Sequence, residues 1–199
     1  MNVEFHFDIA CPFAYFGATQ IEALCARTGA TLSWHPLLLG GVFKAIGQEV
    51  NLFQSFGGAK TRHNLADMVR WADHLGVPFR MNPHHPVRTV NTMRALLAAD
   101  SPAVAVHSLY RAYWVENLRL DDDAVLEGVL ARAGLDGAAL VRRTQDADIK
   151  DRLRAVTDAA VARGVFGVPA MFVGDELVWG QDRLHFVEHL LTGGTFASP

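Results

Sequence analysis

Cys11 is the residue whose type and setting most invite chemistry. It follows an alternating stretch, Asn2 to Asp8, and precedes Pro12, which stands where a first helical residue would. A thiol at a helix start faces free amide groups and the positive end of the helix dipole, which lowers its pKa and favours a thiolate. The competing reading is a small apolar residue packed beneath the helix. Cys11-Pro12-Phe13-Ala14 has Ala at its fourth position, so a two-cysteine redox motif is incomplete. Cys25 lies 14 positions further on. Along one helix that is roughly 21 Å, which excludes a disulfide between the two and fits a reducing, cytoplasmic setting.

Other residues are weighed the same way. Pro169 sits at a strand start, where a cis bond after Val168 would make a tight turn and present a backbone edge to a peptide-like ligand. His185-Phe186-Val187-Glu188-His189 matches a zinc-binding H-x-x-E-H pattern, but residues 190–199 hold no further Asp, Glu, His or Cys. It reads as a helix surface, and no metal is expected to serve catalysis. His84-His85 between two prolines reads as a turn, and Gly164-Val165-Phe166-Gly167 lacks the lysine and hydroxyl of a phosphate loop. Lys60, Arg62 and Arg70 with Asp67 form a solvated helix face, with a lysine beside a ligand carboxylate as the functional alternative.

These residues need a scaffold, and the periodicities supply one. Residues 2–8 and 31–38 read as strands around a helix that opens at Pro12 and closes at Gly29, with Pro36 ending the second strand. Lys60 to Arg163 carries helical periodicity throughout, with candidate helices at 60–75, 87–100, 102–116, 122–133, 136–143 and 146–163. After Gly164, residues 170–173 and 176–179 form a hairpin about Gly174-Asp175, followed by a helix at about 182–192. β-α-β and β-β-α units flanking helices describe an α/β fold: a thioredoxin-like domain, 1–40 plus 164–199, with a large all-helical insertion at 41–163.

The 199 residues are 50% hydrophobic with a net charge of −3, enough apolar material for a core and too little positive charge for a nucleic-acid surface. No apolar run reaches the roughly 20 residues of a spanning helix, so no membrane partner is expected.

Three segments together carry a resemblance: Phe7 to Tyr15; Lys60 with Asp67 to Ala72; and Phe166 to Phe172 through Trp179-Gly180-Gln181-Asp182-Arg183-Leu184. They resemble the 2-hydroxychromene-2-carboxylate isomerases, of the kappa-class glutathione transferase and DsbA-like group, over nearly the whole chain. The resemblance implies a homodimeric, glutathione-dependent isomerase of aromatic degradation, acting on a small aromatic carboxylate. It places Cys11 where the family has a serine that stabilises the glutathione sulfur. It assigns glutathione binding to Val168, Pro169, Gln181, Asp182 and Lys60, with Val168 pairing through its backbone and Asp182 facing the ammonium group. Lys44, Asn51, His85 and Arg88 fall near positions that line the substrate pocket, His85 standing where a tyrosine is common. The alternatives are a monothiol DsbA-like oxidoreductase using Cys11, a kappa-class glutathione transferase on another electrophile, and a binding protein for small aromatic acids.

Overall fold

The computed structural model describes residues 1–48 and 58–197. Four strands form one sheet in the order β2-β1-β3-β4: β1 (Asn2–Phe7), β2 (Thr31–Pro36), β3 (Ala170–Val173) and β4 (Glu176–Trp179). β1 runs parallel to β2 and antiparallel to β3, and β3 pairs antiparallel with β4. Nine α-helices lie among the described residues: α1 (Pro12–Thr28), α2 (Leu39–Ala45), α3 (Gly58–Leu75), α4 (Val90–Ala98), α5 (Ala103–Trp114), α6 (Asp123–Arg132), α7 (Gly137–Arg143), α8 (Ala147–Ala162) and α9 (Leu184–Leu191). This is the thioredoxin-like sheet with helices between its two halves that the periodicity predicts.

Local chemistry explains the boundaries. Pro12 occupies the first turn of α1, and Gly29, in the left-handed region at φ 68°, closes it. Asp122 caps α6 by accepting from the Ala124 and Val125 amides, as the acidic run predicts. Alternation along β1 sends fully buried Val3, Phe5 and Phe7 to one face and Glu4 and His6 to the other. A side chain at Gly17 would strike Phe5 and Pro169, so the Phe5 face is the one covered by α1.

Three boundaries differ from expectation. The sequence pattern shows no helix at residues 39–45, because Gly40 and Gly41 read as a break. α2 forms there because Leu39, Val42 and Phe43 share one face, with the preceding Leu38 amide held by the Thr157 hydroxyl at 3.1 Å. The helix expected from residue 87 starts at Val90, after Thr89 gives its hydroxyl to Asp8. The last helix begins with a 3-10 turn at Gln181–Arg183 before α9.

Candidate active site

Asp8, directly after β1, organises the C-terminal end of that strand. Its carboxylate accepts from the Ala10 amide at 3.0 Å, the Leu39 amide at 2.9 Å and the Thr89 hydroxyl at 3.1 Å. One buried side chain thereby ties the turn into α1 to the starts of α2 and α4. Burial raises its pKa above the usual carboxylate range, against the opposing effect of those three donors. The Trp114 indole, fully buried, donates to the Ile9 carbonyl at 2.9 Å and clamps the same turn from α5.

Cys11 is the N-cap residue of α1, and its side chain caps nothing in that helix. The thiol reaches across to the loop before β3 and donates to the Val168 carbonyl at 3.2 Å. Here the structure corrects the expectation of a thiolate. Burial pushes the thiol up to about 12, and the amides of Ala14 and Phe13 offset only part of that rise. The nearby Asp8 charge raises it further. The helix end acts as predicted in sign, but the desolvation of an 8% exposed sulfur outweighs it. Cys25 is also a free, buried thiol.

The Val168-Pro169 bond is cis. The expected exposed backbone edge is not: Val168 is 6% exposed, and its carbonyl is engaged by Cys11. Gly180 connects this loop to the next motif, because its amide donates to the Pro169 carbonyl at 3.0 Å. Gly180 has φ 101°, and a Cβ there would collide with the side chains of Asp182 and Arg183, so only glycine fits. Beyond it, buried Gln181 accepts from Gln20 of α1 at 3.4 Å. Asp182 is half in solvent and pairs with Arg183 at 3.0 Å. Cys11, Val168, Pro169, Gln181 and Asp182 are thus linked through one short bonded network.

The remaining residues expected at the site lie on other elements. Lys44 lies exposed in the last turn of α2, Lys60 exposed in the first turn of α3, and Arg88 exposed ahead of α4. Asn51 lies outside the described residues. His85 is half-buried, with Nδ1 3.1 Å from the Tyr113 hydroxyl and its ring against Trp114. Burial lowers it to about 4, so its imidazole is neutral near pH 7. In the H-x-x-E-H stretch, read as a helix surface, Glu188 pairs with Arg27 at 2.7 and 3.0 Å.

Sequence reasoning passed over Asp8, Tyr110 and Tyr113 as site residues. Tyr110 is 1% exposed, and its hydroxyl is buried without a hydrogen-bond partner among the described residues. Its phenol pKa is raised well above normal, chiefly by burial and then by Cys11 and Asp8. The signal available was the aromatic spacing Tyr110, Tyr113, Trp114 on α5, which reads equally as plain core.

Comparison with known proteins places this geometry. Residues 2–192 match the family model described as a DSBA-like thioredoxin domain. A 2-hydroxychromene-2-carboxylate isomerase of Pseudomonas putida is 31% identical over 191 residues, covering 94% of this chain and 93% of that protein. A solved structure of a 2-hydroxychromene-2-carboxylate isomerase superposes with a TM-score of 0.87 at 28% identity, covering 97% of this chain and 95% of that one. Glutathione s-transferase kappa 2 of Caenorhabditis elegans is 25% identical, over 95% of this chain and 91% of its own length.

Proposed function

The chain belongs to the DsbA-like thioredoxin family, with 2-hydroxychromene-2-carboxylate isomerases among its relatives, and from that premise we propose that it is a glutathione-dependent isomerase. The reaction is the interconversion of 2-hydroxychromene-2-carboxylate and trans-o-hydroxybenzylidenepyruvate. The observation that carries the reading is the buried Cys11 thiol donating to the Val168 carbonyl at 3.2 Å: such a thiol, its pKa pushed up by burial, is a hydrogen-bond donor and a poor nucleophile. That favours an isomerase in which the reacting sulfur belongs to glutathione over a monothiol oxidoreductase, which needs a thiolate at Cys11.

The donor set suits glutathione. Asp182 offers a solvent-facing carboxylate to an ammonium group, and Lys60 an exposed ammonium to a carboxylate. When bound, glutathione supplies a thiolate that adds reversibly to the conjugated system of the substrate. Cys11 would hold the glutathione sulfur by turning its S–H from the Val168 carbonyl. That carbonyl would then be free to accept from an amide N–H of the cofactor. Asp8 and Trp114 hold the turn carrying Cys11, so this exchange of partners needs no backbone movement. Lys44 and Arg88 provide cations for the substrate carboxylate, Asn51 belongs to the same proposed pocket, and the neutral His85–Tyr113 pair lines it. Cytoplasmic action and a homodimer complete the proposal. Among the described residues no helix is long and apolar enough to cross a membrane.

The test is an absorbance assay of the chromene substrate with and without glutathione, on wild type and Cys11→Ser. Glutathione-dependent turnover in both proteins is the expected result, because a hydroxyl is a better donor than a thiol. No turnover in either, with glutathione disulfide exchange in wild type alone, moves the protein to the redox class.

A further inference from the structure

On the sheet face turned away from α1, β1 and β2 bring two imidazoles and a carboxylate together. His6 and His35 are direct register partners on the parallel pair, and Glu4 lies two residues before His6 on the same face. The two rings stack with centroids 4.8 Å apart and planes 24° from parallel. His6 Nε2 is 3.4 Å from Glu4 Oε2, and one ligand atom from each residue lies within 4.8 Å of the other two. His6 is buried, while Glu4 and His35 are partly exposed and leave a path from solvent.

We propose that Glu4, His6 and His35 form a binding site for a divalent transition-metal ion of the zinc type. The ligand set decides the class. Two imidazole nitrogens and one carboxylate oxygen suit zinc, cobalt, nickel or copper, whereas calcium and magnesium select all-oxygen cages. Ligand atoms about 2.0–2.1 Å from a tetrahedral zinc are about 3.4 Å from one another. The His6–Glu4 separation of 3.4 Å already has that value. The widest separation in the trio, at most 4.8 Å, closes by side-chain rotation of the partly exposed His35 and Glu4. Both imidazoles sit on paired strands inside the sheet, so no loop must be ordered for the ion to bind. Three protein ligands leave a fourth position for water, as in open zinc sites.

Arg163 sets the affinity of this site. Its guanidinium donates to both Glu4 oxygens, at 2.6 and 3.4 Å, and lies 3.7 Å from the Phe172 ring centroid. As a fixed positive charge bonded to the ligating carboxylate, it competes with the ion for that oxygen. Removing it therefore tightens metal binding, a sign that a merely packed histidine pair does not produce.

The experiment uses the tag-free full chain titrated with Co2+, followed by visible absorption, and with Zn2+ in competition with a chromogenic chelator. The expected result is saturable binding that His35→Gln weakens by at least about tenfold, with Arg163→Ala tightening it several-fold. The melting temperature of His35→Gln in chelator, matching wild type, shows that the fold survives. Should that variant fail to fold, Glu4→Gln keeps the carboxyl shape and gives the same loss. Absence of Co2+ uptake by wild type, or uptake unchanged by loss of these ligands, overturns the proposal. Because the readout is metal uptake, its failure is separate from any failure of glutathione-dependent turnover.

Discussion

Around Cys11 the molecule is dry: Asp8 is 2% exposed, Cys11 8% and Tyr110 1%. Asp182, Lys60, Lys44 and Arg88, by contrast, stand in solvent. Desolvation at the dry centre moves both Asp8 and Cys11 upward. At the rim, interactions between side chains are screened by water. The centre thus sets which atom holds a hydrogen, and the rim sets which ions approach.

The largest effect is expected from breaking the dry centre. Asp8→Ala strands the Ala10 and Leu39 amides and the Thr89 hydroxyl, and costs about 3 kcal/mol of stability by urea unfolding. A loss below about 1 kcal/mol would show that water replaces the carboxylate there, so that the centre is wet. Next comes Cys11→Ala, expected to reduce glutathione-dependent kcat/KM about tenfold while Cys11→Ser retains or raises it. Equal rates in all three proteins would remove that side chain from the chemistry. At the rim, Asp182→Ala is expected to raise KM for glutathione several-fold with little change in kcat or melting temperature. Smallest is Tyr110→Phe, which deletes a buried hydroxyl without a partner among the described residues and changes stability by less than about 1 kcal/mol, toward greater stability.

A pH series sharpens the same contrast. His85 and His6 each titrate near 4 in the fold against an ordinary 6.5, so the unfolded chain takes up their protons first as the pH falls. Their contribution is complete above about 6.5 and is lost on descending toward 4. Asp8 is raised, so its contribution has the opposite sign and fades as pH rises through its folded pKa. Melting temperatures are expected to fall between pH 6.5 and 4, with a shallower fall in His85→Gln.

The sheet and most helices were legible because their signals are local. Pro12, Gly29, Pro36 and Asp122 each act within a turn of where they stand. α2 was not legible, because the partner of its approach, Thr157, lies 119 positions away from Leu38. Nor was the charge state of Cys11: the helix end is visible in sequence, whereas the burial that overrides it depends on packing and on Val168, 157 positions later. The Glu4, His6 and His35 trio hides in ordinary alternation, since only the parallel register reveals that His6 faces His35.

That register lies in a strand with an unusual position in time. Of the described elements β1 comes first in chain order, yet it is central, between β2 and β3. Its parallel neighbour follows within 36 residues, whereas its antiparallel neighbour begins at Ala170. During synthesis the nascent chain therefore carries an open edge at Val3 to His6 until β3 has emerged, and every helix from α2 to α8 is made before that edge closes. A chain truncated before residue 170 is left with unpaired backbone at its centre, the surface that chaperones bind and aggregates grow from.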